Sequence, residues 1–305
     1  MRHLLDLNDL EMDIPRKMVD MAKVYKSQNK GLAQGAPLLG RTLGMIFEKP
    51  STRTRVSFEV AMTELGGSAI FLDSNSMQLG RGETIEDTAR VLGRYIDGIM
   101  LRAIKHETLL QMSKYSEIPV INGLTDMSHP CQALADIMTF EENLGSIKGK
   151  KIAWIGDGNN VANSWLHASA IFGCELYLAC PKTRLPSKKA IDWAKNNGGN
   201  IEITQDPLSA AKNANAIITD TWISMGENFS KDPESIFSKY RVDHKLMSIA
   251  SKEVIFMHCL PAHRGQEVTA DIIDGPNSVV WDEAENRLHI QKAVLTWAIA
   301  NKLFT

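Results

Sequence analysis

The sequence predicts an α/β protein built as two doubly wound domains, each a parallel sheet flanked by helices. Three observations lead there. Short apolar segments of strand length alternate with helix-period segments along nearly the whole chain, the pattern of parallel sheets covered by helices. The 305 residues exceed one comfortable core and fit two of about 150 residues each. A glycine- and lysine-bearing stretch, ENLGSIKGKK (Glu142–Lys151), separates a helix from a new strand near mid-chain. It places a first domain at 1–147 and a second at 148–285. The terminal NRLHIQKAVLTWAIANKLF reads as one helix over 286–305, expected to return to the first domain.

The elements follow in order. Met18, Met21, Ala22 and Tyr25 recur at helical spacing within Ile14–Asn29. Buried-strand candidates are TLGMIFE, SAIFLD, YIDGIMLR and IPVINGL in the first half, and KIAWIGD, ELYLACP, NAIITDTW, VIFMHCL and SVVWDE in the second. Phe58, Met62 and Leu65 place the start of a helix just after Pro50, and another helix spans Cys131–Leu144. No internal repeat or low-complexity tract interrupts the alternation.

Composition narrows the function classes. A formal net charge of −2 gives no electrostatic reason to expect nucleic acid or an acidic membrane surface as partner. The one basic cluster, KTRLPSKK (Lys182–Lys189), reads as a solvated loop and helix start. Four cysteines (Cys131, Cys174, Cys180, Cys259) form no CxxC pair, which suggests a reducing compartment. The amino terminus carries acids rather than a signal pattern, and no run reaches the ~18 apolar residues of a membrane span. The expectation is a soluble, cytoplasmic protein.

FEKPSTRTRVSFEVAMTELGG (Phe47–Gly67) sets hydroxyls and arginines on the first turn of a helix. Helix amino termini present unpaired N–H groups and a positive dipole end, and Ser51, Thr52, Arg53 and Thr54 would complete an anion site there. Simple capping accounts for one hydroxyl but not for three with Arg53. Arg53 and Arg55, two apart, cannot face one point, so Arg53 is assigned to the ligand and Arg55 to a structural ion pair. Arg102 ends a buried strand, where a charge needs a partner. His129 and Gln132, three apart at the start of a helix led by Pro130, can aim at one carbonyl oxygen that gains negative charge; an ordinary cap with a buried histidine is the plainer alternative.

In the second half, KIAWIGDGNNVANSW reads as strand, tight turn and helix. Gly156 and Gly158 begin a dinucleotide fingerprint, but Val161 stands where its third glycine belongs, so a nicotinamide cofactor is disfavoured. Asp220 and Cys259 fall at the ends of two further strands. Ligands of open α/β sheets sit outside strand carboxyl ends, so Asn160, Asp220 and Cys259 would line one crevice. Asp220 could hold an ammonium, and Asn160 with the Met225 backbone a carboxylate: an amino-acid site. A small buried hydrophobe is the plain reading of Cys259.

STRTR, HPCQ, DTWISMG and HCLPAHRG stand in the order and at the intervals found in the aspartate/ornithine carbamoyltransferase family, and the sequence resembles that family over nearly its full length. DTWISMG and HCLP resemble its ornithine branch. The resemblance implies transfer of a carbamoyl group from carbamoyl phosphate to L-ornithine, with no metal and no organic cofactor. By similarity, Ser51, Thr52, Arg53 and Thr54 grip the phosphate, Arg102 bridges it and the carbamoyl oxygen, and His129 and Gln132 polarise the carbonyl. Pro130 and Cys131 lie within that motif, and Arg287 also reaches carbamoyl phosphate. Gln78 matches a position lent to a neighbouring subunit, which implies a homotrimer. Asn160, chosen over Asn159, with Asp220, Ser224 and Met225 matches the ornithine contacts. Cys259 and Leu260 match the reaction-centre loop, with a cis Leu260–Pro261 bond. Cys259 beside Asp220 would relay the amine's proton, and domain closure would exclude water. Putrescine or aspartate as acceptor, or a nucleotide- or dinucleotide-binding protein, are the alternatives.

Overall fold

The computed structural model describes residues 2–28, 31–78, 82–223 and 232–302. The chain forms two compact units, one running to Leu134 and resuming at Asn286, the other spanning Ala135–Glu285. These units divide inside a helix, Pro130–Leu144. A continuous helix carries no composition change to mark where its neighbours change.

In the first unit, strands β1 (Thr42–Phe47), β2 (Ser68–Asp73), β3 (Gly98–Arg102) and β4 (Val120–Leu124) form a parallel sheet ordered β2-β1-β3-β4. The chain winds outward to β2, then returns past β1 to β3, so the order reverses between β1 and β3. There Phe47 and Arg102 are register partners. A ligand-sized crevice opens at such a reversal because the connections leave in opposite directions. Central β1 and β3 are buried along almost their whole length, whereas edge β2 is partly exposed. Ile46, Ile99, Leu101, Leu109, Met112 and Val120 make a core on one side of this sheet.

Helices α1 (Ile14–Ser27), α2 (Thr52–Glu64), α3 (Ile85–Leu92), α4 (His106–Tyr115) and α5 (Pro130–Leu144) connect or cover these strands. Met18, Met21, Ala22 and Tyr25 are all buried along α1, the stripe the spacing predicted. Phe58, Met62 and Leu65 are buried likewise on and after α2.

The second unit repeats the plan. Strands β5 (Lys151–Ile155), β6 (Glu175–Ala179), β7 (Asn200–Thr204), β8 (Ala216–Thr219) and β9 (Ile255–His258) are parallel and ordered β7-β6-β5-β8-β9. The reversal falls between β5 and β8, which sets the turn after Ile155 beside Asp220. Helix α6 (Asn160–Phe172) leaves that turn and stops at Gly173, whose φ of 71° is the left-handed cap that glycine adopts without strain. Helices α7 (Lys188–Asn196), α8 (Pro207–Ala211), α9 (Pro233–Phe237), α10 (His244–Ile249) and α11 (Ala270–Ile273) complete the unit. Trp222 stacks on Phe237 at 5.6 Å in a core that includes Ile155, Ile217 and Phe256.

Helix α12 (Val280–Ile299) carries the chain into the first unit. There Tyr25 Oη and Thr296 Oγ1 share a hydrogen bond of 2.8 Å, and Lys292 pairs with Glu64. The expected return of the terminal helix is thus observed, with its start six residues earlier than the sequence reading.

That earlier start corrects one strand assignment. SVVWDE is not a strand: Val279 N–H donates once to Phe256 O at 3.0 Å, and the helix begins at the next residue. Asp282 and Glu283 occupy its first turn, where carboxylates favour the positive helix end over the β-propensity of two valines. Conversely, β7 (NIEIT) has no counterpart among the strand candidates. It is an edge strand with no fully buried residue, so it lacks the apolar run used to find the others. No helix among the described residues is long and apolar enough to cross a membrane.

Gly158 shows why the turn after β5 needs its second glycine. A Cβ there would lie 2.3 Å from Pro186 N and 2.5 Å from Leu185 C, both backbone atoms. Gly158→Ala should therefore destabilise the protein by about 1–3 kcal/mol, read as a lower midpoint in thermal or urea unfolding. An unchanged midpoint would show that the 184–186 backbone can retreat.

Candidate active site

At the first reversal point, Ser51 caps α2, its hydroxyl accepting from Thr54 N–H at 3.3 Å. Thr52, Arg53 and Thr54 form the helix's first turn. Thr54 is fully buried, and its Oγ1 accepts from Arg287 Nη2 at 2.8 Å and from Arg102 Nη1 at 3.4 Å. One hydroxyl thus fixes two guanidinium groups, one from the tip of β3 and one from α12, while keeping its own proton to donate. Arg53 is half-buried; Arg55 points away, pairing with Glu59 at 3.7 Å and lying over the Phe71 ring at 3.9 Å. The ion pair expected of Arg55 is thus present.

His129 is buried immediately before α5, and Gln132 is fully buried one turn later, its N–H donating to His129 O at 3.1 Å. Burial, then the fields of Arg287, Arg102 and Arg53, hold the His129 imidazole well below its usual value of 6.5. It is therefore neutral at neutral pH, able to donate one N–H without itself being a cation. Cys131 is buried too, its thiol pushed up to about 12 by desolvation, and it faces Asn122 O at 3.8 Å. That group therefore stays a protonated thiol at neutral pH. Gln78 is exposed at the end of the turn after β2.

The second reversal point is organised around a carboxylate. Asp220 Oδ2 accepts from Asn159 Nδ2 at 2.7 Å, while Oδ1 accepts from Thr221 N–H at 2.8 Å and from the Cys259 thiol at 3.1 Å. Asn159 also caps α6, its Oδ1 accepting from Val161 and Ala162 N–H. Asn160, the residue chosen from sequence, opens that helix half-buried, with Oδ1 3.1 Å from Val161 N. The side chain that reaches Asp220 is its neighbour's, a cap and a clamp at once. Ser224 and Met225 lie outside the described residues.

Burial raises the Cys259 thiol well above its ordinary value, and Asp220, Glu283 and Asp136 add to the effect. Cys259 is accordingly a thiol donating to Asp220, not a resting thiolate. Leu260 follows with φ of 58°, a left-handed conformation costing a non-glycine residue roughly 1–2 kcal/mol, and the Leu260–Pro261 bond is cis. Leu260 N–H donates to His258 Nδ1 at 2.9 Å, so the His258 proton sits on Nε2, 3.2 Å from Glu267 Oε1. Asp220, His258 and Cys259 bring ligand atoms within 4.8 Å of one another, as a cation would need. Both His258 nitrogens are engaged, however, so that set does not fit a metal.

The GDG turn is closed to a dinucleotide in the same way. Gly158 N–H donates to Arg184 O at 2.9 Å, and the Arg184 guanidinium grips Asp157 with bonds of 2.8 and 2.7 Å. The loop after β6 fills the backbone approach that a pyrophosphate requires. Glu267, Glu283 and Asp136, all buried, were not singled out from sequence. An acid four residues after HCLPAH was the available signal for Glu267, whereas Asp136 sits inside a helix whose pattern reads as simple core.

Each half of the chain matches a family model. Residues 2–142 match the carbamoyl-P binding domain, and residues 148–298 the Asp/Orn binding domain, of aspartate/ornithine carbamoyltransferases. The chain is 54% identical over 299 residues to an ornithine carbamoyltransferase of Rhodopseudomonas palustris, covering 98% of this chain and 96% of that protein. A Mesorhizobium japonicum ornithine carbamoyltransferase is 53% identical over 298 residues, covering 98% of each. The solved structure of the Pyrococcus furiosus ornithine carbamoyltransferase superposes with a TM-score of 0.93 at 49% identity, covering 99% of this chain and 98% of that one.

The state of His129 has a measurable consequence. Below about 6.5 the unfolded chain takes up a proton that the folded protein refuses, so stability falls as pH drops through that value toward the lower folded one. Urea midpoints should decline from about pH 7 to about pH 5, and His129→Gln should flatten the decline. Identical slopes in both proteins would contradict a buried neutral imidazole.

Proposed function

The chain belongs to the aspartate/ornithine carbamoyltransferase family, and on that premise we propose that it transfers the carbamoyl group from carbamoyl phosphate to the side-chain amine of L-ornithine, giving L-citrulline and phosphate. The observation that carries the phosphate half is the gathering of Arg53, Arg102 and Arg287 at the amino end of α2, close enough to depress His129 together. Like charges assembled this way call for a multiply charged anion. In this reading Ser51, Thr52, Arg53 and Thr54 hold the phosphate with Arg287. Arg102, His129 and Gln132 meet the carbamoyl oxygen as negative charge grows on it.

The amine must attack neutral. Its side-chain ammonium resembles lysine, with a pKa of ~10.4, so deprotonation near neutral pH costs about 4–5 kcal/mol. Asp220 attracts the cation, and Cys259 offers a path for the proton. As the thiol gives its hydrogen to Asp220, the sulfur takes one from the ammonium. The amine nitrogen then bonds the carbonyl carbon and gives its second proton to the departing phosphate oxygen as the carbon–oxygen bond breaks, and hydrogen phosphate leaves into the guanidinium cluster. No step asks for a metal or an organic cofactor. Aspartate is a poor acceptor for this site, because its side chain would face the Asp220 carboxylate.

A homotrimer is part of the proposal. Edge strand β2 and helix α2 expose Ile70, Phe71, Val56 and Val60, apolar surface of a kind that a second copy would cover. Gln78, exposed just beyond β2, would then reach a neighbour's site. A cytoplasmic setting fits the free cysteines.

Phosphate release from carbamoyl phosphate measured side by side with ornithine, putrescine and aspartate, with citrulline identified as the ornithine product, tests the substrate; ornithine should be used far better than the others. Faster turnover of putrescine or aspartate would replace this reading. Arg53→Ala should lower kcat/KM by about 10²–10³-fold or more while the protein stays folded. Asp220→Asn should lose a similar factor, mainly through the ornithine-dependent terms. Near-normal activity in either variant would remove that residue from its role.

A further inference from the structure

His258 and Glu267 are buried, titratable and unused by the chemistry above. Both are fully buried, and neither is expected to touch a substrate. Their bonds form a chain. Glu267 Oε1 accepts from His263 N–H at 2.6 Å and from His258 Nε2 at 3.2 Å. His258 Nδ1 in turn accepts Leu260 N–H at 2.9 Å, and His258 N–H is tied to Glu283 Oε2 at 2.8 Å. Cys259 stands between the two residues so held, 3.1 Å from Asp220.

We propose that Glu267 is a positioning residue for carbamoyl transfer: by fixing the ring of His258 it holds Leu260 in its left-handed conformation and so keeps the Cys259 thiol on Asp220. This rests on the reading of Cys259 and Asp220 as the amine-handling pair. The physical need is local. A leucine at φ of 58° relaxes toward extended backbone unless something retains its N–H. His258 can retain it only in the tautomer that leaves Nδ1 as acceptor, and a carboxylate at Nε2 selects that tautomer. Because one oxygen of Glu267 takes both hydrogen bonds, the place of that oxygen decides the outcome, and its charge is secondary.

Two conservative variants separate position from charge. Glu267→Gln keeps an acceptor oxygen in place and removes the charge. Glu267→Asp keeps the charge and withdraws the oxygen by about 1.5 Å. For Glu267→Gln, ornithine kcat/KM should stay within about threefold of the parent. Glu267→Asp should lose ~10–100-fold, the scale of an ångström-level misplacement. Binding of inorganic phosphate, followed by calorimetry, should be the same in all three proteins. A readout independent of turnover is alkylation of Cys259 by iodoacetamide, located by peptide mass; the other three cysteines are buried. Its rate should rise severalfold in Glu267→Asp alone.

A normal Asp variant with an impaired Gln variant would make the role electrostatic and overturn the proposal. So would equal losses in both, or unchanged activity and labelling with only a lowered unfolding temperature, which is what a purely structural carboxylate predicts. If the parent protein makes no citrulline, the functional reading fails by itself, and the labelling comparison still decides whether Glu267 positions Cys259.

Discussion

Three guanidinium groups are held together against their own repulsion, and the first unit is arranged to make that tolerable. Arg102 and Arg287 bond the same hydroxyl, which keeps them within about 6 Å of each other; at an effective dielectric of ~20 that repulsion is on the order of 3 kcal/mol. Folding meets the cost with a buried strand, a capped helix and a terminal helix whose Arg287 is 233 residues from Thr54 in sequence. An anion that binds there recovers the strain as affinity. Burial and then the same field keep His129 neutral, which suits the proposed role of donating to a carbonyl oxygen without competing for the phosphate.

The second unit has the opposite polarity. Asp220 is pinned by an amide, a backbone N–H and a thiol, and Glu283 and Asp136 deepen the negative field at Cys259. That field keeps the sulfur protonated, and in the proposed reading it attracts the cationic amine. The two sheets share a plan of parallel strands with one reversal of order, yet helix starts and strand tips of different composition put guanidinium groups at one and a carboxylate at the other. The fold supplies the crevice, and the side chains at its rim supply the chemistry.

Glycine and asparagine carry more of this than their size suggests. Gly158 lets the 184–186 backbone close over the turn after β5, turning what begins as a nucleotide-binding fingerprint into a rigid mount for Asn159. That asparagine satisfies the amino end of α6 with its oxygen and Asp220 with its nitrogen. Local capping and long-range assembly of the site are therefore one interaction.

By itself the sequence determined the local features: the alternation of strands and helices, the buried stripe of α1, the hydroxyl-rich start of α2 and the separation of Arg53 from Arg55. Those follow from side-chain periodicity and helix-end chemistry, which act over a few residues. Only tertiary structure decided that α12 begins at Val280, that NIEIT is an edge strand, and that Asn159 reaches Asp220. It alone revealed the hydrogen bonds that link Glu267, His258 and Leu260. Each of these turns on which distant backbone comes within hydrogen-bonding reach, and periodicity in one stretch of chain carries no record of its partners.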